Sequence, residues 1–285
     1  MITEQKQKTR SRGLPANGEI KVRKSDLKAG TIHVTEIELG YSVFYLHGTT
    51  PLVYNKMSGA SKRYLLLPPL KKTTADKVMH LKHDPIAEFR SSVHYMPPGN
   101  KTFLGFPAGG IKRAMASAAT DMPGSSKAQI GRLVRVTADD KWTNLVCVWG
   151  LPKLFMQIVR NSDMKRTPDV HTVAKLDEWL IRIEVMYPRL LLTTTSIYNL
   201  LNAAGMFIGL GDGRQEKGKL DNGSFEVFGQ ENAGKFKDLI KIGYKEQEKA
   251  MEKAEPYSAE ELELLTWYNE ELKIRGKEKP DGKAK

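Results

Sequence analysis

The sequence predicts an α+β fold built on an antiparallel sheet, and three observations support this class. Segments rich in β-branched and aromatic residues alternate with two segments of helical spacing. Clusters of glycine, proline and asparagine separate these segments, as is typical of turns between sheet strands. The chain of 285 residues is long enough to bury a substantial core. In chain order the elements are strand, helix, strands, helix, strand, which is a βαββαβ arrangement.

The first strand is predicted within residues 31–48, where β-branched and aromatic residues partly alternate with polar ones. Residues 51–105 are dense in Lys and Arg and contain two proline pairs. We interpret them as an insertion that lies outside the core and is partly helical near residues 80–92. The first core helix is predicted in residues 105–121, where two glycines precede a run of Ala, Met and Ile.

Four β-branched segments with turn residues between them follow and predict further strands, at residues 132–140, 144–150, 151–163 and 178–192. A second helix is predicted over residues 193–211, because a Thr or Ser cap precedes apolar residues at helical spacing. The last strand is predicted at residues 223–229. This order corresponds to an RRM-like or ferredoxin-like core, in which two helices cover one face of the sheet and the other face is free.

Three regions are predicted along the chain: a flexible basic arm over residues 1–30, the core over residues 31–231, and a charged helical extension with a disordered tail over residues 232–285. The extension holds two helices, and Ser258 with Glu261 forms a capping box for the second. Leu265, Tyr268 and Leu272 would give that helix an apolar stripe, which could dock on the core or on a neighbouring subunit.

The charge balance favours an acidic partner. Lys and Arg total 45 against 33 acidic residues, which gives a net charge of +12. Nucleic acid and an acidic membrane surface are the natural partners, and solubilising charge is the alternative. The single cysteine, Cys147, excludes a disulfide or a cysteine-ligated zinc site within one chain. No apolar run is long enough to span a bilayer, so we expect a cytoplasmic protein without a membrane partner.

Residues 209–228, GLGDGRQEKGKLDNGSFEVF, form a glycine-rich basic loop. Because the loop follows a helix and precedes a strand, it reverses the order of a phosphate-binding P-loop, and this order argues against P-loop hydrolysis. Two interpretations are left. The loop could lie along a nucleic-acid backbone, with Arg214, Lys217 and Lys219 contacting phosphates, or it could be a mobile turn with solvated charges.

Other basic and aromatic residues extend this candidate nucleic-acid surface. The blend of aromatic rings and cations is the one that stacks bases and neutralises phosphates. The predicted residues lie in the insertion (Tyr54, Lys56, Lys62, Arg63, Tyr64), on the first core helix (Lys112, Arg113) and at an expected hairpin tip (Arg160, Lys165, Arg166). Surface solubility would explain the two helix cations equally well.

Candidates for catalysis are few. His80 and His83, beside Asp84 and near His94, have a spacing that could hold a metal, but without a third ligand surface histidines are the preferred interpretation. No catalytic residue, metal or cofactor is therefore predicted. Cleavage of RNA by a histidine needs only one acid and one base, so an endonuclease dependent on His171 is the second hypothesis.

Two segments, GFPAGGIKRAMASAA and GLGDGRQEKGKLDNGSFEVF, together resemble the RAMP (repeat-associated mysterious protein) superfamily of CRISPR effectors, and its backbone subunits in particular. Three longer strings look most like stand-alone phage and prophage proteins of that type: PLVYNKMSGASKR, GFPAGGIKRAMASAATD and NLLNAAGMFIGLGDGRQEKGKLDNGSFEVF. The resemblance implies an RRM-like core and a homo-oligomer that stacks along a single-stranded nucleic acid as a filament. A protein-interaction module that mimics an effector subunit is a further alternative.

Overall fold

The computed structural model describes residues 36–67, 82–160, 167–217 and 220–275. The chain divides into two compact units, Met1–Ile37 and Glu38–Lys285, and only the second is described below. The predicted arm over residues 1–30, most of the expected hairpin tip and the end of the tail lie outside the described residues. Helices and an antiparallel sheet occur together in the second unit, which confirms the predicted α+β class.

Strands β1 to β10 span, in order, Leu39–Gly48, Leu52–Val53, His94–Tyr95, Leu104–Pro107, Arg135–Thr137, Leu145–Trp149, Lys153–Arg160, Pro168–Leu176, Leu180–Pro188 and Phe225–Gly229. Helices α1 to α8 span Gly59–Leu66, Pro85–Ser91, Ala108–Ala118, Lys127–Leu133, Thr194–Ala203, Lys237–Ile240, Tyr244–Lys253 and Ala259–Ile274. A π-helical turn, Ala204–Ile208, extends α5, and a 3-10 turn, Gln230–Phe236, follows β10.

Two antiparallel sheets form within the described ranges. The larger has the strand order β10-β1-β9-β6-β4-β3, and β5 also pairs with β9. The smaller has the order β2-β8-β7. Strand β8 was not predicted, because its basic and polar residues gave no apolar run of their own. It pairs with β7 along the whole of that strand, from Lys153 opposite Lys175 to Arg160 opposite Pro168.

The main core lies between one face of the large sheet and the helices α3 and α5. Phe44 and Leu46 of β1 point to this side and are buried against both helices and the other strands. Helix α3 presents Ala114 and Ala118 inward, and small side chains of this kind let a helix approach a sheet closely. The two predicted core helices are therefore present, over a shorter stretch than expected for the second.

The opposite face of the large sheet is covered, which corrects the prediction that it is free. Tyr45, Trp149 and Leu180 lie on that face and are buried under Phe236, with Leu239 and Ile240 packed beside them. The cause is the apolar pattern of β6, whose five residues are all buried, so that both of its faces need cover. The segment after β10 provides that cover.

The predicted insertion contributes to the core, contrary to its interpretation as a peripheral segment. Leu52, Phe89, Val93 and Leu104 all have no exposed surface. The high density of Lys and Arg hid this pattern, because the buried residues occur only in short groups, such as Leu52 to Tyr54, between charged stretches. Strand β2 follows β1 closely and joins the small sheet, so this segment connects the two sheets.

A buried side-chain amide connects the C-terminal helices to the core through hydrogen bonds. Gln247 of α7 is fully buried, and its Oε1 accepts hydrogen bonds from the amides of Phe103 and Leu104 at 2.9 and 3.0 Å. Its Nε2 donates to the carbonyls of Val148 and Gly150 at 2.8 and 2.9 Å. The predicted capping box of α8 is also present, because Glu261 Oε2 accepts from the Ser258 amide at 3.0 Å.

Candidate functional site

A cleft of about 530 Å³ lies where the glycine-rich loop meets helix α3. Its lining comes from five parts of the chain: the segment after β2, strand β3, the end of β4 with α3, the start of α4, and the segment from the π-helical turn into the loop. The lining residues include Tyr54, Asn55, Lys56, His94, Phe106, Pro107, Gly110, Arg113, Ser117, Lys127, Ile208, Gly209, Gly211, Asp212, Arg214, Glu216 and Lys217.

The glycine-rich loop packs on the backbone of the segment around β2. The Asp212 amide donates to the Val53 carbonyl at 2.9 Å, and the Gly223 amide donates to the Pro51 carbonyl at 2.8 Å. Gly211 and Gly223 have φ of 77° and 72°, and a Cβ at either would lie within 2.4 Å of a backbone oxygen. Glycine at these two positions therefore allows the main chain of the loop to pack directly on the neighbouring main chain. The loop forms one wall of the cleft.

Cations outnumber carboxylates around the cleft. Lys56, Arg113, Lys127, Arg214 and Lys217 line it, together with Asp212 and Glu216. Arg214 is neutralised locally, since its Nη2 lies 2.8 Å from Glu216 Oε2. Within the described ranges, no ion pair is formed by the other four cations. The cleft therefore carries a surplus of positive charge.

The two carboxylates have defined structural partners. Asp212 Oδ2 accepts hydrogen bonds from Asn55 Nδ2 at 2.9 Å and from Gln157 Nε2 at 3.0 Å, which ties the loop to β7 of the small sheet and to the segment after β2. Burial raises the pKa of the Glu216 carboxyl, but hydrogen bonds from Arg214 and Ser117 outweigh this effect and lower it overall. Both groups therefore help to hold the cleft wall together.

Mutual repulsion of cations is evident at one end of the cleft. The pKa of His94 is lowered by burial and then by Lys56 and Lys62, so the imidazole is neutral at pH 7. The pKa of Lys56 is also lowered, by burial first and then by Lys62. A bound anion would relieve this repulsion, because an opposite charge nearby favours the charged form of each lysine.

The N-terminus of α3 adds to the positive field. The helix begins after Pro107, which provides no side-chain cap, and both Pro107 and Gly110 line the cleft. The first backbone N–H groups of a helix have no partner within it, and the helix dipole adds a partial positive charge at this end. The partial positive charge of the helix N-terminus therefore adds to the charge of the lysine and arginine side chains that line the cleft.

Tyr54 is buried at the edge of the cleft, with 2% of its surface exposed. Its ring packs edge to face on Phe106, so it has no open face for a stacked base, which was its predicted role. Burial raises the pKa of its hydroxyl, which therefore stays protonated. Among the described residues, Tyr54 Oη has no hydrogen-bond partner.

Removal of this hydroxyl should cost little stability. A buried polar group without a partner is unfavourable by about 1–3 kcal/mol, so Tyr54→Phe should leave the free energy of unfolding unchanged or raise it by up to about 1 kcal/mol. Urea denaturation measures the effect. The control is Tyr187→Phe, because Tyr187 Oη bonds Thr194 at 2.7 Å and Ser42 at 3.0 Å and its loss should be destabilising. A clear destabilisation by Tyr54→Phe would show that the hydroxyl has a partner.

The cleft brings together some of the predicted residues and leaves others outside. Lys56, Arg113, Arg214 and Lys217 line it, with Tyr54 beneath them. Lys62 and Arg63 are exposed on α1, and Lys112 and Arg160 lie on α3 and β7 without lining the cleft. The side chain of Tyr64 and the residues Lys165, Arg166 and Lys219 fall outside the described part.

Lys127 is the main cleft residue that is not among the binding residues predicted from the sequence. It is exposed at the first position of the short helix α4. No local signal marks it, since one lysine in a turn resembles any solvated charge. His94, which the sequence places near a candidate metal motif, lies in the cleft lining as a neutral imidazole.

His83, the other described histidine of the predicted metal motif, is held between two carboxylates. Its Nδ1 lies 2.8 Å from Glu88 Oε1 and its Nε2 lies 2.9 Å from Asp169 Oδ1. Both ring nitrogens are therefore engaged in joining α2 to β8. His80 lies outside the described residues, and the described ranges contain no group of side chains suited to a metal ion.

Comparison with known proteins gives no assignment. No protein-family model matches the chain, and no curated protein matches it either. Within the part of the chain that the structure describes, no helix combines the length and apolar character that crossing a membrane requires. The chemistry of the cleft is therefore the basis for a functional hypothesis.

Proposed function

We propose that this protein is a non-enzymatic binder of single-stranded nucleic acid that contacts the strand through the cleft and tolerates any sequence. The observation that carries the proposal is the convergence of Lys56, Arg113, Lys127 and Lys217 on one cleft, where none of them has an ion-pair partner among the residues that the structure describes. Cations contact phosphates regardless of the bases attached to them, so the expected binding has little sequence preference.

The strand order supports an RRM-like or ferredoxin-like core. Taken along the chain, β1, α3, β6, β9, α5 and β10 form a βαββαβ series, and the four strands are adjacent in the sheet. RRM domains stack bases on the open face of their sheet. Here Phe236 and its neighbours cover that face, so we place the strand in the cleft beside α3 instead.

Assembly of several copies along the strand is part of the proposal. Helix α8 supports it, because Leu262 and Trp267 are 56% and 57% exposed on its surface. Exposed apolar groups of this size are common at contacts between subunits. The resemblance to the RAMP superfamily, together with the phage and prophage proteins of that type, motivates the same arrangement.

The test is fluorescence anisotropy with labelled single-stranded DNA, single-stranded RNA and duplex DNA of equal length across a salt series. We expect tight binding to a single strand, with an affinity that falls steeply with salt, because each phosphate contact contributes about −0.7 to the slope of log K against log salt. Light scattering of the mixtures should show complexes that grow with strand length. A protein that binds no strand at low salt would contradict the proposal.

The same samples test the endonuclease alternative. A binder returns the labelled strand intact after prolonged incubation. Shortened products that disappear in His171→Ala would instead favour a nuclease. Recovery of host proteins from nuclease-treated lysate, without binding to any strand, would favour the protein-interaction module.

A further inference from the structure

Trp142 is exposed to an unusual degree. Its side chain is 96% exposed, the highest value among the large apolar side chains of the described residues. Trp buries more surface than other side chains when it packs, so an unpacked Trp forgoes a large favourable contribution. It lies in the polar turn between β5 and β6, outside the cleft lining.

The turn that displays Trp142 is held firmly on both sides. Asp140 Oδ2 accepts from the Thr143 amide at 2.7 Å, and the Thr143 hydroxyl donates to the same oxygen. The Asn144 amide donates to the Asp140 carbonyl at 2.9 Å, and Asp139 Oδ2 accepts from the Cys147 amide at 2.7 Å. The backbone that carries the indole is therefore ordered before any partner arrives, which lowers the entropic cost of binding.

The turn lies next to the cleft. The Ala108 amide, where α3 begins, donates to the Asn144 carbonyl at 3.0 Å. Leu145 pairs with Pro107, which lines the cleft. Three residues of chain span at most about 11 Å, so Trp142 lies within reach of a strand that occupies the cleft.

We infer that Trp142 is a stacking platform for a base of the strand whose phosphates occupy the cleft. The inference rests on the function proposed above and assigns a specific contact to it. Every base has a π-face, so an aromatic platform adds affinity without sequence preference. With Asp139, Asp140 and Lys141 the turn carries a net negative charge, whereas the surplus of cations in the cleft attracts phosphates. Together these charges favour contact of the indole with a base rather than with the backbone.

The experiment compares two labelled strands of equal length, oligo(dT) and a fully abasic strand, by anisotropy at one low salt concentration. Trp142→Ala should weaken binding of oligo(dT) by about 5- to 100-fold and leave binding of the abasic strand unchanged. Trp142→Phe should retain most of the affinity. Tyr41→Ala, which removes another exposed aromatic side chain outside the cleft lining, is the matched control and should not affect either strand.

Equal losses for both strands would overturn the inference, because the indole would then not act through bases. Unchanged binding of oligo(dT) would overturn it too, while leaving the proposed function intact. If the wild-type protein binds neither strand, both the proposed function and the stacking role fail. A drop in oligomer size with Trp142→Ala in the absence of strand would assign the indole to a contact between copies of the chain instead.

Discussion

Reversal of two cleft charges, Arg113→Glu with Lys127→Glu, should weaken binding to single-stranded nucleic acid by about 10- to 100-fold. The slope of log K against log salt should become less steep by about 1.4, because each lost phosphate contact removes about 0.7. Both side chains are exposed, and neither forms an ion pair in the described part of the chain, so the fold should be retained. Anisotropy across a salt series, with circular dichroism as a check of folding, measures both effects.

The matched control is Lys245→Glu with Lys249→Glu on α7. Both lysines are exposed, neither lines the cleft, and the pair makes the same change in net charge. A general effect of charge would lower the affinity equally in the two double variants. Equal losses would therefore contradict the placement of the strand in the cleft, whereas a selective loss in the cleft variant supports it.

Substitution of Gly223 should unfold the wall of the cleft. Gly223 has a φ of 72°, and a Cβ there would lie 1.8 Å from the carbonyl oxygen of Leu210. Gly223→Ala combines a strained backbone with a clash against main chain, and it should lower the free energy of unfolding by about 3 kcal/mol or more. The Gly223 amide also bonds to Pro51, so the loop should detach from the segment around β2.

The control for this substitution is Gly109→Ala in the first turn of α3. A Cβ at Gly109 would meet no heavy atom within 4 Å. Because alanine favours a helix over glycine, Gly109→Ala should stabilise the protein by up to about 1 kcal/mol. Urea denaturation of both variants gives the comparison. A Gly223→Ala protein as stable as the wild type would show that the loop is not packed as described.

Much of the fold could be predicted because its longest elements have clear periodicity. The apolar spacing of α5 and the cap at Ser258 are local signals, and both agree with the structure. Strand β8 was missed because its polar residues hide its pairing with β7. The covered face of the sheet was missed although the continuous apolar run of β6 indicated burial on both sides.

The candidate site was predicted in part. The cations of the glycine-rich loop and of α3 are visible in the sequence, but their convergence on one cleft depends on tertiary packing. Lys127 and Trp142 had no periodic pattern around them. For Trp142 a signal did exist, since a Trp enclosed by Asp, Lys, Thr and Asn in a turn cannot be a core residue.

The most direct test of the proposed function is photo-cross-linking of the protein to a thiothymidine-containing oligonucleotide, with the adducts mapped by mass spectrometry. The strand should attach to peptides that contain residues 54–56, 106–117 and 208–217, which line the cleft, and to the turn that carries Trp142. Competition by an unlabelled single strand should remove these adducts. Adducts confined to helices α7 and α8 would contradict the assignment of the cleft as the binding site.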